Sequence, residues 1–422
     1  MIDRFWSKLS VNALSIAIPA TLTFPGFGIL VRIADAATVG TIMWTWFLIG
    51  TAAALNAGLN PSLTNDFGKT SNSDPKFRFL TAHYLQASNV VYSVICAIVL
   101  FWSYFESSDV LPWSVLLLQL GLIWMTGIIA LLITTLNFFG FAVLTAKSKL
   151  WVNSAVIVLP IAVLAMTGST VLAIFGLFVV KFGQFWILLQ QAKRLGGQSF
   201  EPLARRPFDV LRLKRLLGQQ WRMVLIALSQ MAFAFIDRWS VVAVFGISAY
   251  QSYSGIQDVL SKTWMLSSIF IILLHPVFSA AGTRTVVKER LALKYTVWLF
   301  AFGGTALLLC YLSLDLFLYY LFDLEPTLEL RIICRNLIIG LAVSLSYMLY
   351  NTLLIATGRQ PFVLTVSLVS LLAYCIALFP VIHTWGVLGL SYLFVAKFTG
   401  EALCFHGYST VKYYKERGYG KG

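Results

Sequence analysis

Eight ionisable side chains fall inside stretches that are otherwise apolar: Lys181, Asp237, Arg238, Asp258, Lys262, Asp315, Lys397 and Glu401. A charge at the centre of a bilayer costs about 2.5 to 3.5 kcal/mol on insertion scales, so each needs a partner, water or a ligand. Spacing accounts for two pairs. Asp258 and Lys262 are four residues apart, as are Lys397 and Glu401, and opposite charges one helical turn apart neutralise each other. Lys181 differs, because Leu177 and Phe185 flank it at helical spacing and its own apolar run holds no carboxylate. It requires a water-filled cavity, a carboxylate from another helix, or an anionic ligand. Its hexapeptide, LFVVKF at Leu177 to Phe182, recurs as LFVAKF at Leu393 to Phe398, 216 positions later.

The elements that carry these charges are membrane spans. Hydrophobic residues make up 59% of the 422, charged ones 11%, and the mean hydropathy of +0.82 lies outside the range of soluble domains. A spanning helix needs about 20 apolar residues. That ruler predicts twelve spans, near 11–31, 38–59, 80–104, 112–135, 150–168, 170–191, 222–246, 255–275, 294–321, 333–356, 361–382 and 386–408. The first run is long enough to span and no small-residue cleavage site follows it, so it is expected to stay in the membrane. The fold class is therefore an all-α polytopic membrane protein.

A formal charge of +14 would suggest nucleic acid in a soluble protein, but here the distribution of Lys and Arg reports topology. With the N-terminus inside, nearly all the loop cations fall on one side, from Arg4 and Lys8 through Lys147, Arg205, Arg212 and Arg290 to Lys415. The opposite loops receive Arg331 and Arg335, with Arg32 near a rim, and carry Glu106, Asp109, Asp323, Glu325 and Glu329. Both termini are thus expected in the cytoplasm. The chain reads as a first lobe of six spans (1–191), a basic cytoplasmic linker (192–221), a second lobe of six (222–410) and a cytoplasmic tail (411–422). In the linker Phe208, Leu211, Leu216 and Leu217 recur at roughly helical spacing beside Arg212, Lys214 and Arg215, as in a helix lying on an anionic leaflet.

Several chemistries find no support. The five cysteines lack CxxC spacing and the four histidines lack metal-ligand spacing, so neither a metal site nor a cofactor is expected. FGKT at Phe67 to Thr70 would need glycine at position 63 to be a P-loop, and Leu63 stands there. Any energy source is then an ion gradient or another protein.

The hexapeptide repeat has partial company. VLTAKSKLWV (Val143 to Val152) aligns with LIATGRQPFV (Leu354 to Val363), pairing Thr145 with Thr357 and Lys147 with Arg359, and RIADAATVG (Arg32 to Gly40) aligns with RWSVVAVFG (Arg238 to Gly246). Offsets of 206, 211 to 212 and 216 suit two duplicated six-helix lobes. Both halves begin inside, which makes the repeats parallel about a pseudo-twofold axis along the membrane normal, with the substrate path between them.

With FAFIDRWSVVAVFGISAYQSYS (Phe233 to Ser254), LLHPVFS (Leu273 to Ser279), TLLIATGRQ (Thr352 to Gln360) and WGVLGLSYLFVAKF (Trp385 to Phe398), the chain resembles the polysaccharide flippases of the multidrug, oligosaccharidyl-lipid and polysaccharide (MOP) exporter superfamily. The resemblance covers essentially the whole chain. It implies a two-lobed transporter of a bacterial inner membrane that moves an undecaprenyl-diphosphate-linked oligosaccharide, of the O-antigen or capsule type, to the periplasmic leaflet. It also implies coupling to H+ or Na+, contact with membrane lipids, and a polysaccharide polymerase and chain-length regulator as partners.

A lipid diphosphate would answer the need of Lys181. At about 1.5 Å rise per residue, Lys181 and Lys397 fall near mid-depth, with Arg238 and Arg32 toward the outer side, so a cationic cavity fed by both lobes is expected. The alternative is that all four pair with carboxylates and hold helices together. Glu401, Asp258 and Asp237 are the coupling-ion candidates. Two other functions compete. A multidrug cation antiporter of the same superfamily would share the fold, but the first lobe offers no mid-span carboxylate. An integral-membrane O-antigen polymerase would be expected to carry a large outer loop, and none exceeds about a dozen residues by the span ruler.

Overall fold

The computed structural model describes residues 2–68, 88–94, 96–97, 100, 112–138, 141–196, 210–264, 270–271, 274, 278 and 285–418. Among these every regular element is helical: α1 (Ile2–Ile33), α2 (Ala36–Gly68), α3 (Trp113–Phe138), α4 (Ala142–Thr167), α5 (Thr170–Gly196), α6 (Val210–Phe245), α7 (Ile256–Leu260), α8 (Thr285–Leu312), α9 (Leu314–Phe322), α10 (Leu328–Leu345), α11 (Met348–Ala356) and α12 (Gln360–Gly418). Seven stretches among the described residues are long and apolar enough to cross a membrane. The last, Gln360–Ser409, is two spans joined where Gly386 takes φ 59° and ψ −146°, giving limbs 360–385 and 387–418. The third predicted span and the end of the eighth are described only in fragments. Linker residues 197–209 and the outer acids Glu106 and Asp109 lie outside the described residues.

The spans depart from the simple ruler where side chains compete for the backbone. Residues 210–221, predicted as a separate surface helix, form the first turns of the 36-residue α6. The tenth span is broken at Ser346–Tyr347. There Ser344 and Ser346 hydroxyls turn back to the carbonyls of Leu341 and Val343, at 2.6 and 2.7 Å, which bends a helix by competing with its ladder. The eighth span opens with a 3-10 turn (Ile247–Tyr250) and a π-helical turn (Gln251–Gly255) ahead of α7.

Two compact units result: residues 1–231 with 242–250, and 232–241 with 251–422. In the first, α1 packs on α4, α4 and α3 pack on α5, and α2 packs on α3. Its core joins Leu122, Leu131, Leu132 and Leu136 of α3 to Ile174, Leu177 and Leu188 of α5. Pro160 in α4 has no N–H, which frees the carbonyl of Val156, and the Trp46 indole donates to it at 2.9 Å. In the second, α10 packs on α12 and α8 lies against α10 and α11.

Corresponding turns carry the internal repeat. The Phe141 N–H donates to Leu136 O (3.0 Å) and the Arg359 N–H to Leu354 O (2.8 Å); Thr145 to Phe141 and Val363 to Arg359 follow at 3.1 and 3.4 Å. The three residue pairs involved, Leu136 with Leu354, Phe141 with Arg359 and Thr145 with Val363, share an offset of 218, and so do Gly168 and Gly386, both with positive φ. The buried faces match at 217: Ala173, Ile174, Leu177, Lys181, Gln184 and Leu188 correspond to Leu390, Ser391, Phe394, Phe398, Glu401 and Phe405. The pairing of Thr145 with Thr357 is therefore corrected. So is that of the two lysines, since Lys181 occupies the place of Phe398, and one residue is a rotation of about 100°. Arg32 and Arg238 do not match either, because Arg32 sits in the last turn of α1 while Arg238 precedes the end of α6 by two turns.

Candidate functional site

In the first unit the buried face of α5 carries Lys181, twelfth of the helix's 27 residues and 5% exposed. Apolar residues at i−4 and i+7, Leu177 and Leu188, anchor that face in the core and so draw Lys181 inward. No hydrogen bond or ion pair to it exists among the described residues. One turn on, Gln184 donates from Nε2 to Ser148 Oγ at 3.2 Å, yet its buried Oε1 has no partner among the described residues. Thr126 Oγ1 of α3, the helix packed against α5, is likewise buried without one. Of the described buried residues in this unit, Lys181 is the charged one.

The second unit gathers its charges into a balanced network. Arg238 donates through Nε and Nη2 to Asp258 Oδ1 at 2.9 and 2.6 Å, and through Nη1 to the carbonyl of Ala234 at 3.1 Å. The expected pairing of Asp258 with Lys262 is thus corrected. The partner is an arginine twenty residues earlier whose planar fork suits a carboxylate better than a lysine does. Lys262 remains within electrostatic reach of Asp258. Beside Arg238, Asp237 is fully buried; Tyr374 and, at 3.2 Å, Tyr253 donate to its Oδ1, the Gln257 side chain lies beside the carboxylate, and its Oδ2 has no well-aligned hydrogen bond among the described residues.

Phe233, one turn before Asp237 on α6, meets Tyr374 edge-on at 4.8 Å, and the Lys397 ammonium lies 4.1 Å from the Phe233 ring centre. Lys397 donates to Glu401 Oε1 at 2.8 Å, as its spacing predicts. Ser370 donates to the same oxygen at 2.6 Å and Tyr347, from the break in the tenth span, donates to Oε2. A half-open groove of about 500 Å³ between the two limbs of α12 reaches Ser370, Tyr374, Lys397 and Glu401.

The four predicted cavity cations therefore differ. Lys181 is buried and unpartnered among the described residues, Lys397 and Arg238 are neutralised, and Arg32 donates to the carbonyl of Gly28 at 2.7 Å in the last turn of α1. Asp315, placed in the apolar set, opens α9 and forms a bidentate, half-exposed bridge with Arg331, at 2.8 and 2.9 Å. The hydroxyls of Tyr253, Tyr347 and Tyr374 escaped the sequence reading, for their carboxylate partners lie 16, 54 and 137 residues away. No group of three or more His, Cys, Asp or Glu side chains able to hold a metal occurs among the described residues.

No protein-family model matches the chain, and no curated protein sequence does. Solved structures do match. A MOP-superfamily transporter from Pyrococcus furiosus, described as having a binding pocket of reverse polarity that suggests a different function, is 18% identical with a TM-score of 0.69, over 94% of this chain and 92% of that one. A multidrug resistance MATE-family transporter of the MOP superfamily, in an outward-facing conformation, is 16% identical with a TM-score of 0.67, over 96% and 94%. The Vibrio cholerae MATE transporter VcmN, in a mutant form, is 14% identical with a TM-score of 0.66, over 96% of both chains. The fold is that of the two-lobed MATE and MOP transporters.

Proposed function

We propose that this protein is a transporter, not an enzyme, and that it exports an anionic cargo: a lipid-linked oligosaccharide, carried on undecaprenyl diphosphate, moved from the cytoplasmic to the periplasmic leaflet of a bacterial inner membrane. The observation that carries the reading is Lys181. A buried ammonium without a counter-charge among the described residues is costly unless an anion or water meets it. In the second unit Arg238, Lys262 and Lys397 face Asp237, Asp258 and Glu401 in equal number, and the further buried cation, Lys288, is held by the Phe278 carbonyl at 2.6 Å. The reverse-polarity pocket described for the Pyrococcus furiosus relative in fold is in keeping with an anionic cargo. Of the candidates, coupling to H+ or Na+ falls to Asp237, because Asp258 is engaged by Arg238 and Glu401 by Lys397. A polysaccharide polymerase and its chain-length regulator are the partners this cargo implies.

The cargo is tested at Lys181. Lys181→Met keeps the apolar stem and deletes the charge, so folding persists or improves while export of surface polysaccharide falls. Lys181→Arg should retain more export than Lys181→Gln, since a phosphate answers to charge before donor geometry. Export that stays normal, or falls only in proportion to protein level, would falsify the anionic-cargo reading. One observation favours a second reading, a MATE-like cation antiporter: the buried Asp237, whose Oδ2 has no well-aligned hydrogen bond among the described residues, could meet a cation. Efflux of a cationic dye that is lost in Asp237→Asn and kept in Lys181→Met would select that reading.

A further inference from the structure

The groove between the two limbs of α12 presents an almost wholly apolar surface, although Thr365, Ser370, Tyr374, Lys397 and Glu401 stand along it. Each has its polar atoms engaged elsewhere. Thr365 Oγ1 donates to the carbonyl of Pro361 at 3.0 Å, Ser370 and Lys397 donate to Glu401 Oε1, Tyr347 donates to Glu401 Oε2, and Tyr374 donates to Asp237. What these residues turn to the groove is carbon, which holds neither an ion nor a sugar hydroxyl. The groove is also long and thin. Its lining runs from Thr365 to Ala377 on one limb and from Leu393 to Cys404 on the other, about 18 Å at about 1.5 Å per residue. A volume of about 500 Å³ over that length leaves a slot about 5 Å across, one hydrocarbon chain wide when carbons touch at about 4 Å. Ala373 and Ala377 on the first limb, and Ala396 and Gly400 on the second, recess the walls at four-residue spacing. Small residues so placed ordinarily let two helices close on each other. Here the recesses stand open, and a Cβ at Gly400 would meet no described atom within 4 Å.

We propose that this groove seats the polyprenyl chain of the cargo, the single methyl-branched hydrocarbon tail that carries the oligosaccharide. This deepens the lipid-linked reading of the cargo and rests on it. Bilayer tails are as apolar as the groove, so a chain that leaves the bilayer for it gains nothing from water, and selection comes from fit. A slot one chain wide admits a single-chain carrier directly, whereas a phospholipid must part its two chains to enter. The recesses take methyl branches. A straight acyl chain leaves them empty, and the atoms that line an empty recess forfeit their contacts.

The test uses the purified full-length protein in phosphatidylcholine nanodiscs, with undecaprenyl phosphate bearing a diazirine on its chain as the probe. After irradiation, peptide mass spectrometry should place the crosslinks in residues 365–377 and 393–404. Unmodified undecaprenyl phosphate should compete them away, and the same excess of dioleoylphosphatidylglycerol should not. Gly400→Leu fills the slot from its open side and exchanges a poor helix former for a good one, so it should melt at or above the wild-type temperature. Its crosslinking in the groove should be lost and its export of surface polysaccharide should fall. Gly400→Ala, which leaves most of the slot, should keep both. Crosslinks spread evenly over the exposed helix faces, or displaced equally by dioleoylphosphatidylglycerol, assign the groove to bulk lipid and overturn the proposal. So does a Gly400→Leu that melts normally and labels like wild type. Those results leave Lys181-dependent export untouched, whereas normal export in both Gly400→Leu and Lys181→Met removes the lipid-linked cargo itself.

Discussion

Arg238 was a natural choice for a cargo-binding cation, and its removal separates that role from a structural one. Its guanidinium makes two hydrogen bonds to one oxygen of Asp258 and a third to its own helix, and the two side chains are 6% and 20% exposed. Breaking a buried pair by deleting one member costs about 3 to 5 kcal/mol, chiefly because the other charge is left without compensation. Lys262, four residues after Asp258 and within its field, can partly inherit the carboxylate. That places Arg238→Met at the lower end, about 3 kcal/mol. For a unit of this size that is roughly 6 to 12 °C in melting temperature. The double variant Arg238→Met with Asp258→Asn removes both charges and should recover to within about 1 kcal/mol of wild type, because replacing both members of a buried pair is near neutral. Melting followed by size-exclusion in detergent reads both. A single variant as stable as wild type, or a double less stable than the single, refutes the ion pair as the role of Arg238.

Two further outcomes concern the first unit. Gly40→Ala would bring a Cβ within 2.3 Å of the backbone carbonyl oxygen of Ile247, which cannot yield, so it should destabilise by about 3 kcal/mol, the top of the overpacking range. Gly50→Ala, on the same helix with nothing within 4 Å, should stabilise by about 1 kcal/mol, and equal melting shifts for the two would contradict the packing described. Asp35 caps α2, its Oδ1 accepting from the Thr38 N–H at 2.9 Å, and bonds from Thr38 hold its pKa below the ordinary carboxylate value. Asp35→Ala should therefore cost about 1 kcal/mol above the ordinary carboxylate range. The penalty should vanish as pH falls through the lowered pKa, where wild type loses the same stabilisation; a penalty constant down to strong acid would contradict it.

Lys397 with Glu401 was legible because both lie on one helix, where sequence spacing is distance. Arg238 with Asp258 was not, since the nearer lysine looked adequate and only the approach of α6 to the eighth span offers a better partner. Long-range hydroxyls such as Tyr374 on Asp237 leave no spacing to read. The duplication was visible as letters but one residue out of register along α5 and α12, because two similar hexapeptides outweigh the quieter periodicity of buried positions. Breaks within the eighth and tenth spans were hidden for a related reason: hydropathy reports length and apolarity, whereas the serines at 344 and 346 act through hydrogen bonds.

The uneven charge of the two units has an electrical consequence. Carrying one elementary charge across the whole membrane field is worth about 2.3 kcal/mol per 100 mV. The balanced network of Arg238, Lys262, Lys397, Asp237, Asp258 and Glu401 does no net work against that field when the unit tilts. Lys181, partway along α5 and without a counter-charge among the described residues, does, and the anion proposed to bind there would cancel the work. On the proposed anionic-cargo reading, voltage acts on the empty first unit and releases it once loaded, so a voltage-clamped membrane should show a charge movement that cargo suppresses and Lys181→Met abolishes.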